Sequence, residues 1–232
     1  TGSGNAGTLN GTSWVDGKSG KALRFDGVDD YVEVPLTPSL DIKGPHTLEA
    51  WIQFERIIPN NWHPLTPVQK YRYGLYYHPN AGLRAHHSTD LTTIDFVTWS
   101  CDLKGERWYH VVQTFDGTKL RAYINGVEMT NGATGFPPNV ESENTGITIG
   151  RGWTSTGIHL FCGIIDEVAI YNRALTPLEI QQHYIIPNII SQWKFNEGSD
   201  GTAFDSVGTN NGTLINGPAW TTGILDGALS FD

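Results

Sequence analysis

Apolar and polar residues alternate with a period of two over short runs of the chain, the mark of strands with one buried face. Leu23-Arg-Phe25 and Tyr31-Val-Glu-Val34 flank a turn at Asp26-Gly-Val-Asp29. In Thr47–Phe54, Leu48, Ala50, Ile52 and Phe54 alternate with Thr47, Glu49, Trp51 and Gln53, which puts Trp51 on the polar side. Further strands are predicted at 73–77, 82–87, 108–115, 119–124, 146–150 and 163–171, with Asp116-Gly117 and Asn125-Gly126 as hairpin turns. One helix is signalled by Thr176 at the N-cap, Pro177 at the first helical position and Glu179 completing a capping box, with Pro187 as its limit. Arg56–Val68, which holds three prolines, and 136–144 read as loops. Short strands at this spacing predict an all-β sandwich. Trp14, Tyr109, Phe115, Tyr123, Phe161 and Tyr171 are assigned to its core, with Trp51 and Trp108 in semi-buried places.

The chain also repeats itself. Trp14–Asp26 (WVDGKSGKALRFD) returns as Trp220–Asp232 (WTTGILDGALSFD), and Asn5-Ala-Gly-Thr-Leu9 returns as Asn210-Asn-Gly-Thr-Leu214. Ile189–Ser206 has no counterpart ahead of Thr1. Two organisations fit. Residues 1–187 form one sandwich and 188–232 begin a second repeat of a longer array, or 188–207 fold back to supply a strand the first unit lacks.

Composition narrows the class. With 38% hydrophobic and 17% charged residues among 232, the chain can bury a core and wholesale disorder is excluded. Twenty-seven glycines and 12 prolines suit many turns, and the single Met fits a minority of helix. The net charge of −9, with no cluster of Lys or Arg, argues against nucleic acid and against anionic membranes. Apolar runs fall far short of the roughly 20 residues that span a bilayer, and Thr1 opens no signal-peptide pattern, so a soluble piece without its address is expected. Cys101 and Cys162 are too few for a zinc site and leave either one disulfide or two free thiols.

Five segments, Phe25–Val34, Thr47–Phe54, Arg107–Met129, Ile147–Arg151 and Gly163–Tyr184, resemble in order and spacing the laminin G-like (concanavalin A-like lectin/glucanase) superfamily. The likeness is strongest to its bacterial branch, with the trailing Ile165-Asp-Glu-Val168 and Tyr171-Asn-Arg-Ala-Leu175, and covers most of 4–187. Gln192–Gly208 is similar to the family's first strand. The resemblance implies an antiparallel jelly-roll β-sandwich with one concave and one convex sheet, in proteins that are often secreted, repeated and attached to carbohydrate-active enzymes or adhesins. It further implies a structural Ca²⁺ held by Asp26, Asp29 and Asp30 at one turn, joined by Asp166. Read from the residues alone, short acidic side chains in a glycine-containing turn also serve turn chemistry without a metal. Glu33 and Glu167 read as solvated strand positions.

Eight Trp and nine Tyr are many for this length. Sugar rings stack their C–H faces on exposed aromatics while Arg, His, Asn and Asp bond their hydroxyls. Trp62, Tyr73, Trp99 and Trp153 are the aromatic candidates for a ligand, and Arg84 and His86 the polar ones; the plain alternatives are core packing and solvated surface. Alternation sets Arg84, His86 and Ser88 on one face, where Arg72 could join them and a guanidinium would suit a uronate or sulfated sugar. His86 and His87 leave opposite faces, which argues against a two-histidine metal pair. No Glu-x-Asp-x-x-Glu pattern is present, and the neighbours Asp166 and Glu167 leave opposite sides of their strand, so catalysis is not expected. The expected function is a non-catalytic, lectin-like carbohydrate-binding module of a secreted or surface protein, with a polysaccharide or glycan and neighbouring repeats as partners. The alternative is a structural or adhesive repeat that binds no sugar.

Overall fold

The computed structural model describes residues 4–57, 65–70, 73–88, 95–130, 145–154, 157–185, 191–206, 209–223 and 226–231. It divides into two compact units, Thr1–Tyr184 and Ile185–Asp232.

The first unit is an antiparallel jelly-roll β-sandwich of two seven-stranded sheets. Strands are numbered along the chain. One sheet runs β1 (Thr8–Asn10), β4 (Tyr31–Val34), β13 (Ile147–Ile149), β6 (Leu65–Lys70), β7 (Tyr73–His78), β8 (Gly82–His87), β9 (Asp95–Trp99). The other runs β12 (Val127–Glu128), β11 (Leu120–Ile124), β10 (Trp108–Phe115), β5 (His46–Phe54), β16 (Cys162–Tyr171), β3 (Lys21–Asp26), β2 (Ser13–Asp16). Inward positions of both sheets meet in one core: Leu48, Ile52, Phe54, Val111 and Phe115 face Val68, Leu75, Tyr77, Leu83 and Val97. Asp116 ends β10 as predicted, its Oδ1 accepting the Thr118 and Lys119 amides to close the turn into β11.

The helix α1 (Pro177–Ile185) carries the predicted capping box: Thr176 Oγ1 accepts the Glu179 amide and Glu179 Oε2 accepts the Thr176 amide. It seats Ile180 on the outer face of the second sheet, against Val112, Tyr123 and Leu175. Several stretches depart from the sequence expectation, among them the strands β1, β2 and β9, which were not predicted. β6 occupies the end of the proline-rich run read as a loop; Pro67 sits at a register shift between Leu65 and Val68, where the ladder is irregular and a missing N–H costs little. A further hairpin, β14 (Arg151–Thr154) with β15 (Gly157–Leu160), follows β13.

Trp14 was expected in the core and is instead 64% exposed, because β2 is the edge of its sheet and Trp14 points off it. Phe115, Phe161 and Tyr123 are buried as expected, and Tyr109 and Tyr171 pack partly buried against the two clusters. Cys101 and Cys162 are free thiols, so no disulfide joins them; burial pushes both thiols up in pKa.

In the second unit, β17 (Thr202–Ala203) pairs with β18 (Gly212–Thr213) and β19 (Ala219–Thr222) with β20 (Gly227–Ser230). Trp193 bridges to Asp205. Both large sheets are built wholly from first-unit strands.

Candidate functional site

The outer face of the first sheet carries the polar candidates. Tyr73, Leu75 and Tyr77 of β7 point into the core, so Gly74, Tyr76 and His78 point out. On β8 the inner positions are Leu83 and Ala85, and Arg84 and His86 share the outer face with them. Arg84 lies across from Tyr76 and His86 across from Gly74. The glycine is required there: a Cβ at 74 would stand 2.5 Å from the His86 ring. The Tyr76 hydroxyl and His86 Nδ1 hydrogen-bond at 2.9 Å with their rings stacked. Next to them, Gln69 of β6 and Thr148 of β13 continue the face. The β14–β15 hairpin packs on this side, with Gly152 so close that a Cβ would meet Gln69 Oε1 at 2.2 Å and Thr66 Oγ1 at 2.6 Å.

The electrostatics of this face turn on Arg84. Its side chain is half-buried, and its Nε has no hydrogen-bond partner among the described residues. Burial pushes the Tyr76 hydroxyl well above its ordinary pKa, and burial with the nearby Arg84 charge pushes His78 below its ordinary value. Both are therefore neutral near pH 7 and act as hydrogen-bonding groups, leaving Arg84 to set the sign of the surface.

The six binding candidates separate. Arg84 and His86 come together. Tyr73 and Trp99 do not join them: both are core residues, at 1% and 2% exposure, because they share the inward parity of Leu75 and Val97. Trp62 lies outside the described residues, and Trp153 contributes its backbone to β14 opposite Ile158 while its side chain lies outside the description. Arg72 lies outside it as well.

The acidic candidates also separate. Asp26, Asp29 and Asp30 bring one carboxylate oxygen each within 4.8 Å of one another at the β3–β4 turn. Asp26 Oδ1 accepts the Val28 amide at 2.7 Å and Asp30 Oδ2 the Asp26 amide at 2.8 Å. Asp166 is not part of this group. The ladder pairs Cys162 with Asp26, and Asp166 lies four positions further along β16, roughly 13 Å away at about 3.3 Å per residue. There it holds the β2–β3 turn, accepting the Ser19 amide at 3.0 Å and the Glu167 amide at 2.8 Å. Glu167 adopts a left-handed φ of 48° at the bulge that follows, and it is exposed, as is Glu33.

One buried polar cluster escaped the sequence reading. Glu49, on the outer face of β5, takes His110 Nε2 at 2.7 Å and His183 Nδ1 of α1 at 3.0 Å. Burial pushes the Glu49 carboxyl up, but the hydrogen bonds and charges of the two histidines outweigh this and hold it below its ordinary value. Trp51 stacks beside it on Tyr184, with Lys18 Nζ 4.9 Å above the ring. This is a clamp fastening helix to sheet. Its only sequence signal was the outward parity of Glu49 and Trp51.

The sequence model of one family, described as the concanavalin A-like lectin/glucanases superfamily, matches residues 26–181. The chain belongs to that family. Among solved structures, domain 4 of AbnA, a GH43 extracellular arabinanase from Geobacillus stearothermophilus, in complex with arabinotriose, is 22% identical; the match covers 76% of this chain and 86% of that one, with a TM-score of 0.58. The binding domain of Paraclostridial Mosquitocidal Protein 1 is 15% identical over 96% of this chain and 61% of that one, with a TM-score of 0.65. A botulinum neurotoxin type C structure, from work on its entry into cells through two ganglioside molecules, is 15% identical over 86% of this chain and 50% of that one, with a TM-score of 0.64. The family's sandwich is thus shared at low identity, and the chain spans most of the arabinanase domain but no more than about three-fifths of the two toxin chains. Among the described residues, no helix is long and apolar enough to cross a membrane.

Proposed function

We propose that the first unit is a non-catalytic glycan-binding module of a secreted or surface protein, reading its ligand on the outer face of the first sheet. The observation that carries this is Arg84: a half-buried guanidinium whose Nε has no hydrogen-bond partner among the described residues, beside the hydrogen-bonding groups of Tyr76, His78 and His86. A planar cationic fork suits a carboxylate or sulfate on a sugar, while Tyr76 and His86, both 1% exposed and bonded to each other, would position it rather than touch the ligand. The complex of the arabinanase domain with arabinotriose supports the reading by analogy of fold. The Asp26, Asp29 and Asp30 turn would hold a Ca²⁺ through three carboxylates, completed by carbonyl and water oxygens.

Affinity electrophoresis of the whole chain in gels of neutral and of uronate-rich polysaccharide tests this. Retention in the acidic gel that is lost in Arg84→Ala, with an unchanged melting curve, is the expected result. No retention in any gel favours a structural repeat, a reading supported by the duplicated hairpin. For the metal, removing Ca²⁺ with chelator should lower the melting temperature, by the equivalent of about 2.7 kcal/mol if the ion was at a hundred times its Kd. An unchanged curve leaves the carboxylates as turn chemistry alone.

A further inference from the structure

The β14–β15 hairpin covers part of the first sheet's outer face, and what lies beneath it is polar. A Cβ at Gly152 would meet both Gln69 Oε1 and Thr66 Oγ1, so both side chains stand on the covered face. Thr66, Gln69 and Thr148 are buried there, Thr66 at 1% exposure. His159 pairs with Gly152, which sets it on the same side of the hairpin, and it is buried as well. None of Arg151, Gly152, His159 and Leu160 belongs to an apolar core cluster. Thr66 Oγ1 has no hydrogen-bond partner among the described residues. A buried hydroxyl left unpaired is costly, and a water or a ligand oxygen that reached it would relieve the cost.

Among the described residues the hairpin is fastened chiefly at its root. Gly150, at a φ of 80°, donates to the Pro67 carbonyl at 2.9 Å and accepts the Phe161 amide at 2.8 Å, and Phe161 is fixed in the core. Thr148 Oγ1 donates to the Arg151 carbonyl at 2.7 Å, and the Arg151 guanidinium stacks 3.4 Å from the centre of the Tyr31 ring. Past Arg151 the hairpin meets β6 through Gly152, against the side chains of Thr66 and Gln69. A contact of this kind gains little from the hydrophobic effect, so parting it and wetting both sides costs little.

The covered patch lies in line with Arg84. The irregularity in β6 falls between Leu65, opposite Tyr77, and Val68, opposite Leu75, so Thr66 is level with Tyr76, and Tyr76 pairs with Arg84. From β6 across β7 to β8 is two strand spacings, roughly 10 Å at about 4.8 Å each. The chemistry changes along that line. Arg84 offers a cation, whereas Thr66, Gln69 and Thr148 offer hydroxyls and an amide without net charge. A ligand that followed it would carry an acidic group at one end and neutral hydroxyls at the other, farther apart than a single sugar ring reaches.

We propose that Thr66 and Gln69 form a second sugar subsite, closed by the β14–β15 hairpin and opened by an acidic oligosaccharide long enough to reach it from Arg84. The subsite rests on the glycan reading of Arg84. A short ligand engages Arg84 alone. A longer one lifts the hairpin about Gly150 and gives Thr66 Oγ1 the partner it lacks. The closed hairpin lowers the apparent affinity for long ligands in proportion to the fraction of time it is open.

Titration calorimetry of the whole chain with a disaccharide and a hexasaccharide cut from a uronate-rich glycan reads the subsite as the ratio of their affinities. Gly152→Val sets a branched side chain against Thr66 and holds the hairpin off the sheet; if the wild-type hairpin is open about one-tenth of the time, the ratio should rise about tenfold. Thr66→Val keeps the shape and removes the hydroxyl, and should lower the ratio roughly fivefold, the worth of one hydrogen bond. Hydrogen exchange gives a readout on the wild-type chain that stands even if Gly152→Val fails to fold: the hexasaccharide should change exchange in β14 and β15, and the disaccharide should not. Hairpin exchange unmoved by the hexasaccharide, or a ratio that ignores both variants, overturns the proposal. If neither oligosaccharide binds the wild-type chain, the glycan reading falls and the subsite with it. If both bind and Arg84→Ala abolishes binding while the hairpin does not respond, the subsite alone falls.

Discussion

The two hairpins, β2–β3 and β19–β20, are the same local structure in different surroundings. Trp pairs with Leu and the third residue of each first strand with Ala in both, from sequences that agree at fewer than half their positions. Yet Phe25 is fully buried between the sheets of the first unit, against Phe161 and Gly150, while its counterpart Phe231 is 72% exposed. Turn chemistry and alternation are enough to form the hairpin. Burial of its apolar face depends on a large facing sheet, which the first unit supplies to Phe25.

The largest test of that contrast is a matched pair of substitutions. Phe25→Ala should cost about 3–5 kcal/mol in denaturant unfolding, the usual toll of emptying a core ring. Phe231→Ala should stay within about 0.5 kcal/mol, as surface changes do. Comparable losses would mean that the second hairpin is buried in solution.

Acid separates the units next. Every histidine of the chain precedes residue 185. His46 is buried against Phe115 and Tyr73, with Nε2 unpaired among the described residues, and burial pushes it down to about 3. Its proton is taken up more readily unfolded than folded, so stability falls as pH drops below about 6.5, by about 2 kcal/mol at pH 5. Glu49 has the usual depressed carboxylate, so its contribution is present above its ordinary value of 4.5 and is lost below it. Hydrogen exchange should show protection in β5 and β10 declining over both windows while β19 and β20 change little. His46→Phe should shrink the upper window and leave the part that His78, also pushed down by burial, contributes. A first unit equally protected from pH 7 to 4 would contradict the assignment.

The smallest effect sharpens the comparison from the other side. Trp14→Ala should leave stability within about 0.5 kcal/mol, because its indole stands in water at the sheet edge. A loss of several kcal/mol would place that edge under cover.

What could be read in the sequence follows the same division between local and distant causes. The strands, the Asp116 and Asn125 turns and the α1 capping box are local, and each was readable in a few consecutive residues. β6 was hidden because its proline falls at a ladder irregularity, which only the partner strands define. Tyr73 was misplaced because β7 is aromatic on both faces, and the inward parity shows only through Leu75 in the packed core. On β8 the alternation of Arg84 and His86 with Leu83 and Ala85 was unambiguous, and that half of the site was legible. Asp166 was assigned to the acidic turn by likeness, but the ladder sets it beside the opposite end of β3. Glu49, His110 and His183 lie 61 and 134 positions apart, and no short pattern links them.

Trp51 gives the protein a spectroscopic reporter of its own. Its indole is dry, packed beside both His110 and Tyr184 of α1. Undocking of the helix would flood that ring with water and shift its emission to the red, whereas Trp14 already emits from solvent. Fluorescence could therefore time the release of α1 separately from the collapse of the sandwich beneath it.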